Sequence, residues 1–132
     1  MATLKSKNMK NRRPVFFNLT KIQMPVGSLT SIGHRITGVL LAIGIPFTIY
    51  VLQLSLRGPE AYARVGHMFD NFAFKGLAVL FIWALAHHLL AGVRHLLSDI
   101  DIGSHLRAAR TSAWIVNCGA VVIALLSIGA LV

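Results

Sequence analysis

The sequence predicts an all-α integral membrane protein with three transmembrane helices. Of its 132 residues, 55% are hydrophobic and only 13% are charged, which leaves too little polar surface for a soluble domain of this size. About 20 apolar residues span the hydrocarbon core of a bilayer, and three uncharged stretches approach or reach that length: 36–56, 76–93 and 111–132. None alternates polar and apolar residues or carries a polar stripe at helical spacing, so each is apolar nearly all round, as a membrane helix is.

Polar stretches separate the three apolar ones. Residues 57–75 and 98–110 contain the Gly, Pro, Ser and charged residues that are typical of connections. Pro46 lies inside the first apolar stretch, where it can kink the helix, because neighbouring helices and water tolerate such a kink in a membrane. The predicted helices cover about 28–56, 68–97 and 108–132.

Positive charge is concentrated at the N-terminus. The net charge is +9, and residues 1–35 hold seven Lys and Arg and no Asp or Glu. Short cytoplasmic segments hold the excess of Lys and Arg, and a cytoplasmic N-terminus places ten basic residues inside and three outside. We therefore predict a multi-pass protein of a bacterial inner membrane, with the mitochondrial inner membrane as the alternative. It comprises a basic cytoplasmic segment, 1–27, and a transmembrane domain, 28–132.

Histidines stand in an apolar stretch, and polar residues inside a membrane usually mark function. They belong to HHLLAGVRHLLSD, residues 87–99. With the N-terminus inside, this second helix runs inward. His95 is then at the cytoplasmic boundary and His88 about 10 Å deeper, at 1.5 Å per residue. The single cysteine, Cys118, excludes an internal disulfide and a multi-cysteine metal site.

The start of the first helix adds polar groups at the same boundary. Ser31, His34 and Arg35 share one face of that helix at spacings i, i+3 and i+4. They lie at about the depth of Arg94 and His95. A b-type haem suits this arrangement, because its iron takes neutral imidazole inside a dry bundle and its anionic propionates seek cations at the interface.

Helical spacing distinguishes the adjacent histidines. The face of His88 carries the small residues Ala84 and Gly92, which leave room for a flat macrocycle, whereas Leu80 and Trp83 flank His87. We therefore predict His88 as the iron ligand.

Simpler interpretations remain for the same residues. His88 could serve as a hydrogen-bond partner between helices, with Gly92 allowing close packing. The basic side chains could each reach toward lipid headgroups; they are Arg35, Arg94 and His95. Asn117 and Cys118 are predicted to be hydrogen-bonding and packing residues.

Three motifs carry a resemblance to a known family. They are RP at 13–14, SxxHRxTG at 31–38 and HxxxGxRHLxxD at 88–99. Together with helix count, length and motif order, they resemble the cytochrome b556 subunits of succinate dehydrogenase over nearly the whole chain. The stretch VFFNLTKI, residues 15–22, departs from the SPHLxIY wording of many members.

The resemblance implies a membrane anchor that joins a second small anchor subunit and docks a flavoprotein and an iron–sulfur protein. Electrons from succinate oxidation then pass through the iron–sulfur clusters to ubiquinone, and no catalysis is expected from the isolated chain. The family's axial ligand of haem b falls on His88, with the second ligand expected from the partner anchor. Its propionate vicinity falls on His34, Arg35 and His95, and its quinone-binding serine and arginine fall on Ser31 and Arg35.

The chemistry of quinone reduction favours the same two residues. Adding two electrons and two protons needs donors that hold the carbonyl oxygens and stabilise developing negative charge. The Ser31 hydroxyl and the Arg35 guanidinium supply both, close to water. Two alternatives remain open: a fumarate reductase anchor that takes electrons from menaquinol, and a cofactor-free three-helix membrane assembly protein in which His88 only packs.

Overall fold

The computed structural model describes residues 24–131, nearly all of which are helical. The helices are α1, Val26–Ser55; α2, Pro59–Met68; α3, Phe72–Asp99; and α4, Leu106–Leu131. No strand occurs within 24–131. Three helices are long and apolar enough to cross a membrane, namely α1, α3 and α4. The predicted all-α architecture with three spanning helices is confirmed, whereas the RP motif and nearly all of the basic N-terminal segment lie outside the described residues.

The spanning helices are longer than their uncharged stretches. At 1.5 Å per residue, the 30 residues of α1 extend about 45 Å, against about 30 Å for the hydrocarbon core. The ends of α1 therefore reach into the headgroup regions, which places its polar first turns at the boundary. The helix continues through Pro46 without a break.

The connection 57–75 contains a helix that the sequence analysis did not predict. Gly58 has φ 142°, a conformation that favours glycine, and Pro59 follows in the first turn of α2. Ala61 and Val65 are the buried residues of α2, and their i, i+4 spacing is the signal that could have revealed the helix. The helix packs against α1.

Local signals delimit α3 at both ends. Asn71 caps its start, because the side-chain Oδ1 accepts from the backbone N–H of Ala73 at 2.8 Å. At its end, Asp101 has φ 60° and the N–H of Ile102 donates to the carbonyl of Leu97 at 2.9 Å. This is the Schellman pattern, and it turns the chain back so that α4 runs antiparallel beside α3.

Small side chains fill the contacts between the spanning helices. α3 packs against both α1 and α4, and α1 also contacts α4. Ala84, Ala91, Ala113 and Ala120 are completely buried. Membrane helices gain little hydrophobic free energy from touching one another, so close approach of small residues and hydrogen bonds hold them together. Large apolar side chains face outward instead.

A substitution in this contact region should destabilise the protein. Ala120→Leu places a large side chain at a completely buried position of α4, and overpacking of this kind costs about 1–3 kcal/mol. We expect a lower melting temperature for the assembled complex in mild detergent. Cys118→Leu is the matched control, because Cys118 lies two residues away and is exposed. An equal decrease in melting temperature in the two variants would show that α4 does not pack through the face that carries Ala120.

Candidate functional site

The imidazole of His88 lies against the backbone of α1. Its Nδ1 is 3.0 Å from the backbone carbonyl oxygen of His34 and 3.4 Å from Oγ1 of Thr37. A carbonyl oxygen can only accept, so this bond assigns the ring proton to Nδ1 and leaves the lone pair of Nε2 free. A Cβ at Gly38 would come within 2.9 Å of Cε1 of His88, so the close approach depends on that glycine.

Three histidines meet on this side of the chain. The rings of His34 and His88 stack with centroids 4.1 Å apart and planes 10° apart. The ring of His95 is tilted against His34 at 5.3 Å. A Cβ at Gly92 would lie 3.4 Å from Nε2 of His34, so His34 occupies the space that the sequence analysis expected to be open beside Gly92. All three histidines are half-buried.

His87 has entirely different surroundings. Its Nε2 is 3.1 Å from Oδ1 of Asn117, and Nδ2 of Asn117 donates to Oγ1 of Thr30 at 3.1 Å. Its side chain is 4% exposed, and Nδ1 is buried without a partner among residues 24–131. Both nitrogens of His87 are thus enclosed by the chain and cannot reach a group outside it.

Neighbours of His87 agree with the predicted face. The ring of Trp83 lies 5.8 Å from that of His87, as the spacing argument required. Asn117 is confirmed as a hydrogen-bonding residue, whereas Cys118, predicted to pack, is exposed.

Arg94 turns into the chain and joins α3 to the start of α4. Its Nε donates to Oγ of Ser112 at 3.1 Å, and Nη2 donates to the carbonyl oxygen of Ala109 at 3.3 Å. Its guanidinium also covers Gly27, where a Cβ would lie 3.4 Å from Nη2. Arg94 therefore joins the end of α3 to the start of α4 and is not a member of the histidine group.

Ser31 and Arg35 stand on α1 beside this group. Ser31 is half-buried and Arg35 is exposed. Within residues 24–131 neither side chain makes a hydrogen bond or an ion pair. The structure thus brings together His34, His88 and His95, and it gives Ser31 and Arg35 no hydrogen-bond or ion-pair partner within residues 24–131.

The donor set fits one side of a haem and does not fit a metal held by this chain alone. Among residues 24–131 there is no group of three or more His, Cys, Asp or Glu that could hold a metal ion. A haem iron takes four ligands from its macrocycle and can accept an imidazole from the protein as a further ligand. His88 provides such an imidazole, with its other nitrogen already donating to a carbonyl, as is usual for a metal-bound histidine.

Comparison with known proteins decides the family. The family model described as "Succinate dehydrogenase/Fumarate reductase transmembrane subunit" matches residues 9–127. The chain belongs to this family. The match includes α1, α2 and α3 in full and α4 as far as residue 127, and it confirms the resemblance drawn from the motifs.

Individual relatives in the succinate dehydrogenase/fumarate reductase transmembrane subunit family cover most of the chain. It is 33% identical over 109 residues to the "Succinate dehydrogenase cytochrome b556 subunit" of Coxiella burnetii, spanning 82% of this chain and 87% of the relative. The protein of the same name from Paracoccus denitrificans is 32% identical over 119 residues, 90% of this chain and 92% of the relative. The "Succinate dehydrogenase cytochrome b560 subunit" of Reclinomonas americana is 31% identical over 97 residues, with coverages of 70% and 67%.

Sequence reasoning missed two residues that shape the site of this family member. Thr37 is completely buried, and its hydroxyl donates to the carbonyl of Gly33 at 2.8 Å, which turns its oxygen toward His88. Gly38 provides the contact surface for the His88 ring. Thr37 and Gly38 lie three and four residues after His34, so helical spacing alone could have placed them on the same face of α1 as His34. Nothing in the sequence indicated that His88 on α3 packs against that face.

Proposed function

We propose that this chain is the membrane anchor and cytochrome b subunit of a succinate dehydrogenase complex. The family match and the printed names of the relatives support a membrane subunit of that enzyme. Two of these relatives come from Coxiella burnetii and Paracoccus denitrificans, which supports a bacterial inner membrane, and the distribution of Lys and Arg supports a cytoplasmic N-terminus. The partners are a second anchor subunit, an iron–sulfur subunit and a flavoprotein subunit.

The geometry of His88 is the observation that carries the haem assignment. Its Nδ1–H bond to the carbonyl of His34 orients the ring and leaves Nε2 as the donor to iron. Of the two adjacent histidines on α3, His88 alone offers such a donor, because both nitrogens of His87 are enclosed. The second axial ligand should therefore come from the partner anchor. A bound haem b would supply reversible one-electron transfer at its iron.

The boundary side chains are suited to the charged edge of that haem. The ring of His34 stacks on that of His88, and the ring of His95 lies against His34 in turn. Arg35, the residue after His34 on α1, adds a permanent positive charge. We assign these three residues to the vicinity of the propionates, whose negative charges need cations near the interface.

Ser31 and Arg35 are assigned to the ubiquinone site. The Ser31 hydroxyl can donate to one quinone carbonyl, and the Arg35 guanidinium can stabilise negative charge that develops as electrons arrive. Their position in the first turns of α1 keeps them close to water, which supplies the protons. Within the described residues neither side chain has a competing partner.

An absorption spectrum of the purified complex tests the haem assignment. We expect a reduced-minus-oxidised spectrum with the α and Soret bands of a b-type haem, at one haem per flavin. A complex that retains its flavin and iron–sulfur clusters but shows no haem bands would support the cofactor-free alternative. Rates of succinate-to-ubiquinone and quinol-to-fumarate transfer, measured on the same preparation, separate succinate dehydrogenase from the fumarate reductase alternative.

The basic N-terminal segment should contribute to docking. Residues 1–35 carry seven basic and no acidic residues, so an anionic surface of a soluble subunit or acidic lipid should attract them, and salt should weaken that attraction. We expect deletion of residues 1–12 to lower the fraction of chain recovered with its soluble subunits, and the deficit to be visible at low salt. If the truncated chain still retains all of its soluble subunits at high salt, the segment does not contribute to docking and serves only to set the orientation of the chain in the membrane.

A further inference from the structure

A continuous polar path crosses the three spanning helices away from the proposed cofactor and quinone residues. It runs from Thr30 on α1 through Asn117 on α4 to His87 on α3, with hydrogen bonds of 3.1 Å between Thr30 and Asn117 and 3.1 Å between Asn117 and His87. Thr30 is completely buried and His87 is 4% exposed. In a membrane interior these groups have few other partners, so the path favours one rotational setting of the helices.

The amide of Asn117 sets the direction of these hydrogen bonds. Its Nδ2 donates to Oγ1 of Thr30 at 3.1 Å, and the Thr30 hydroxyl has two acceptors within reach, the carbonyl oxygen of Val26 at 3.0 Å and Oδ1 of Asn117 at 3.3 Å. Oδ1 of Asn117 also lies 3.1 Å from Nε2 of His87, which must carry the proton because an amide oxygen only accepts. His87 is thus protonated on Nε2 and His88 on Nδ1, so the two adjacent rings carry opposite tautomers and have opposite roles.

Rotation of α3 links the two histidines. Adjacent residues of a helix are separated by about 100° around its axis, so a rotation that breaks the bond between His87 and Asn117 swings His88 through the same angle. Both rings also press on the backbone of α1. A Cβ at Gly33 would lie 2.7 Å from Cε1 of His87, and one at Gly38 would lie 2.9 Å from Cε1 of His88.

We infer that Thr30, Asn117 and His87 are positioning residues that set the rotation of α3 and thereby aim Nε2 of His88 out of the chain. This inference rests on the proposed function of His88 as a haem ligand. His87 acts through helix orientation and not by touching the iron, since its own nitrogens are enclosed.

The test uses the whole complex in membranes, with His87→Leu and Asn117→Leu in this chain. The midpoint potential of a haem and the EPR g-values of its low-spin ferric form respond to the orientation of its axial imidazoles and to the hydrogen bonds around them. We expect both variants to retain haem but to shift the potential and the g-values in the same direction. His87→Gln, which keeps an N–H near the position of Nε2, should restore values close to those of the unaltered complex.

Controls separate this inference from the proposed function. Cys118→Leu changes the exposed neighbour of Asn117 and should leave the potential unchanged. If a His87 or Asn117 variant does not assemble, Thr30→Val and Thr30→Ser provide the comparison, with a shift expected only for valine. Unchanged haem properties in an assembled Asn117→Leu or Thr30→Val complex would overturn the inference. Haem that survives His88→Ala would instead overturn the proposed ligand.

Discussion

Replacement of His88 by alanine should abolish the b-type haem spectrum of the assembled complex. Alanine removes the Nε2 donor, and the adjacent His87 cannot take its place, because His87 is directed into the network with Asn117. His87→Ala should retain a haem, although with altered properties. The measurement is the reduced-minus-oxidised spectrum of the purified complex, normalised to its flavin content so that only assembled complex is counted.

The pair of adjacent histidines provides its own control. Both substitutions remove an imidazole from the same helix, so a general effect on α3 should be similar in the two variants. His87→Ala even removes the more deeply buried ring, and on packing grounds alone it should be the more harmful change. Equal loss of haem in both variants would contradict the assignment of the two faces and point to a structural role for each.

The spanning helices could be predicted because a membrane makes simple demands on sequence. A bilayer of fixed thickness requires about 20 apolar residues per helix, and three such stretches are visible without any knowledge of their contacts. The helix α2 was missed, since its ten residues are polar overall and only Ala61 and Val65 reveal its packed side.

The separation of the two histidine faces could also be predicted, since it follows from helical geometry within one element. Spacing placed Trp83 beside His87 and Gly92 beside His88, and the structure has Trp83 near His87 and His34 filling the space at Gly92. The sequence could not predict that His34 is the side chain at Gly92, because this contact depends on how α1 is rotated against α3.

Contacts between distant parts of the chain set the limit of sequence reasoning. Thr30 and Asn117 are 87 positions apart, and nothing in their local sequences indicates that their side chains meet. Arg94 was predicted at the membrane boundary. Its bonds to Ser112 and Ala109 depend on the tight reversal between α3 and α4, which brings the first turns of α4 beside the last turns of α3.

The two faces of α3 have a common consequence for where chemistry can occur. Polar groups directed into the chain satisfy one another, as His87, Asn117 and Thr30 do. Polar groups directed outward, with His88 as the deepest and Arg35 at the boundary, need a partner that these described residues do not supply. The chemistry proposed for this chain is therefore expected at its contact with other subunits.

Ser31→Ala and Arg35→Leu should lower ubiquinone reduction without lowering the oxidation of succinate. Alanine at Ser31 leaves a quinone oxygen without its donor, a loss of roughly 1–3 kcal/mol, which corresponds to a decrease in turnover of about five- to 150-fold. Leucine at Arg35 should be worse, because it also removes positive charge near the propionates. The assay compares succinate reduction of a quinone analogue with succinate reduction of an artificial dye that takes electrons from the soluble subunits.

Quinone activity should fall in both variants while dye activity persists, since the soluble subunits remain docked and active. Ser28→Ala is the matched control for Ser31, as an exposed serine one turn earlier on α1, and Arg110→Leu is the control for Arg35, as an exposed arginine in the first turns of α4. Both controls should keep quinone turnover. If dye and quinone activities fall together in the Ser31 and Arg35 variants, these side chains hold the complex together, and the donors to the quinone must be sought on the partner anchor.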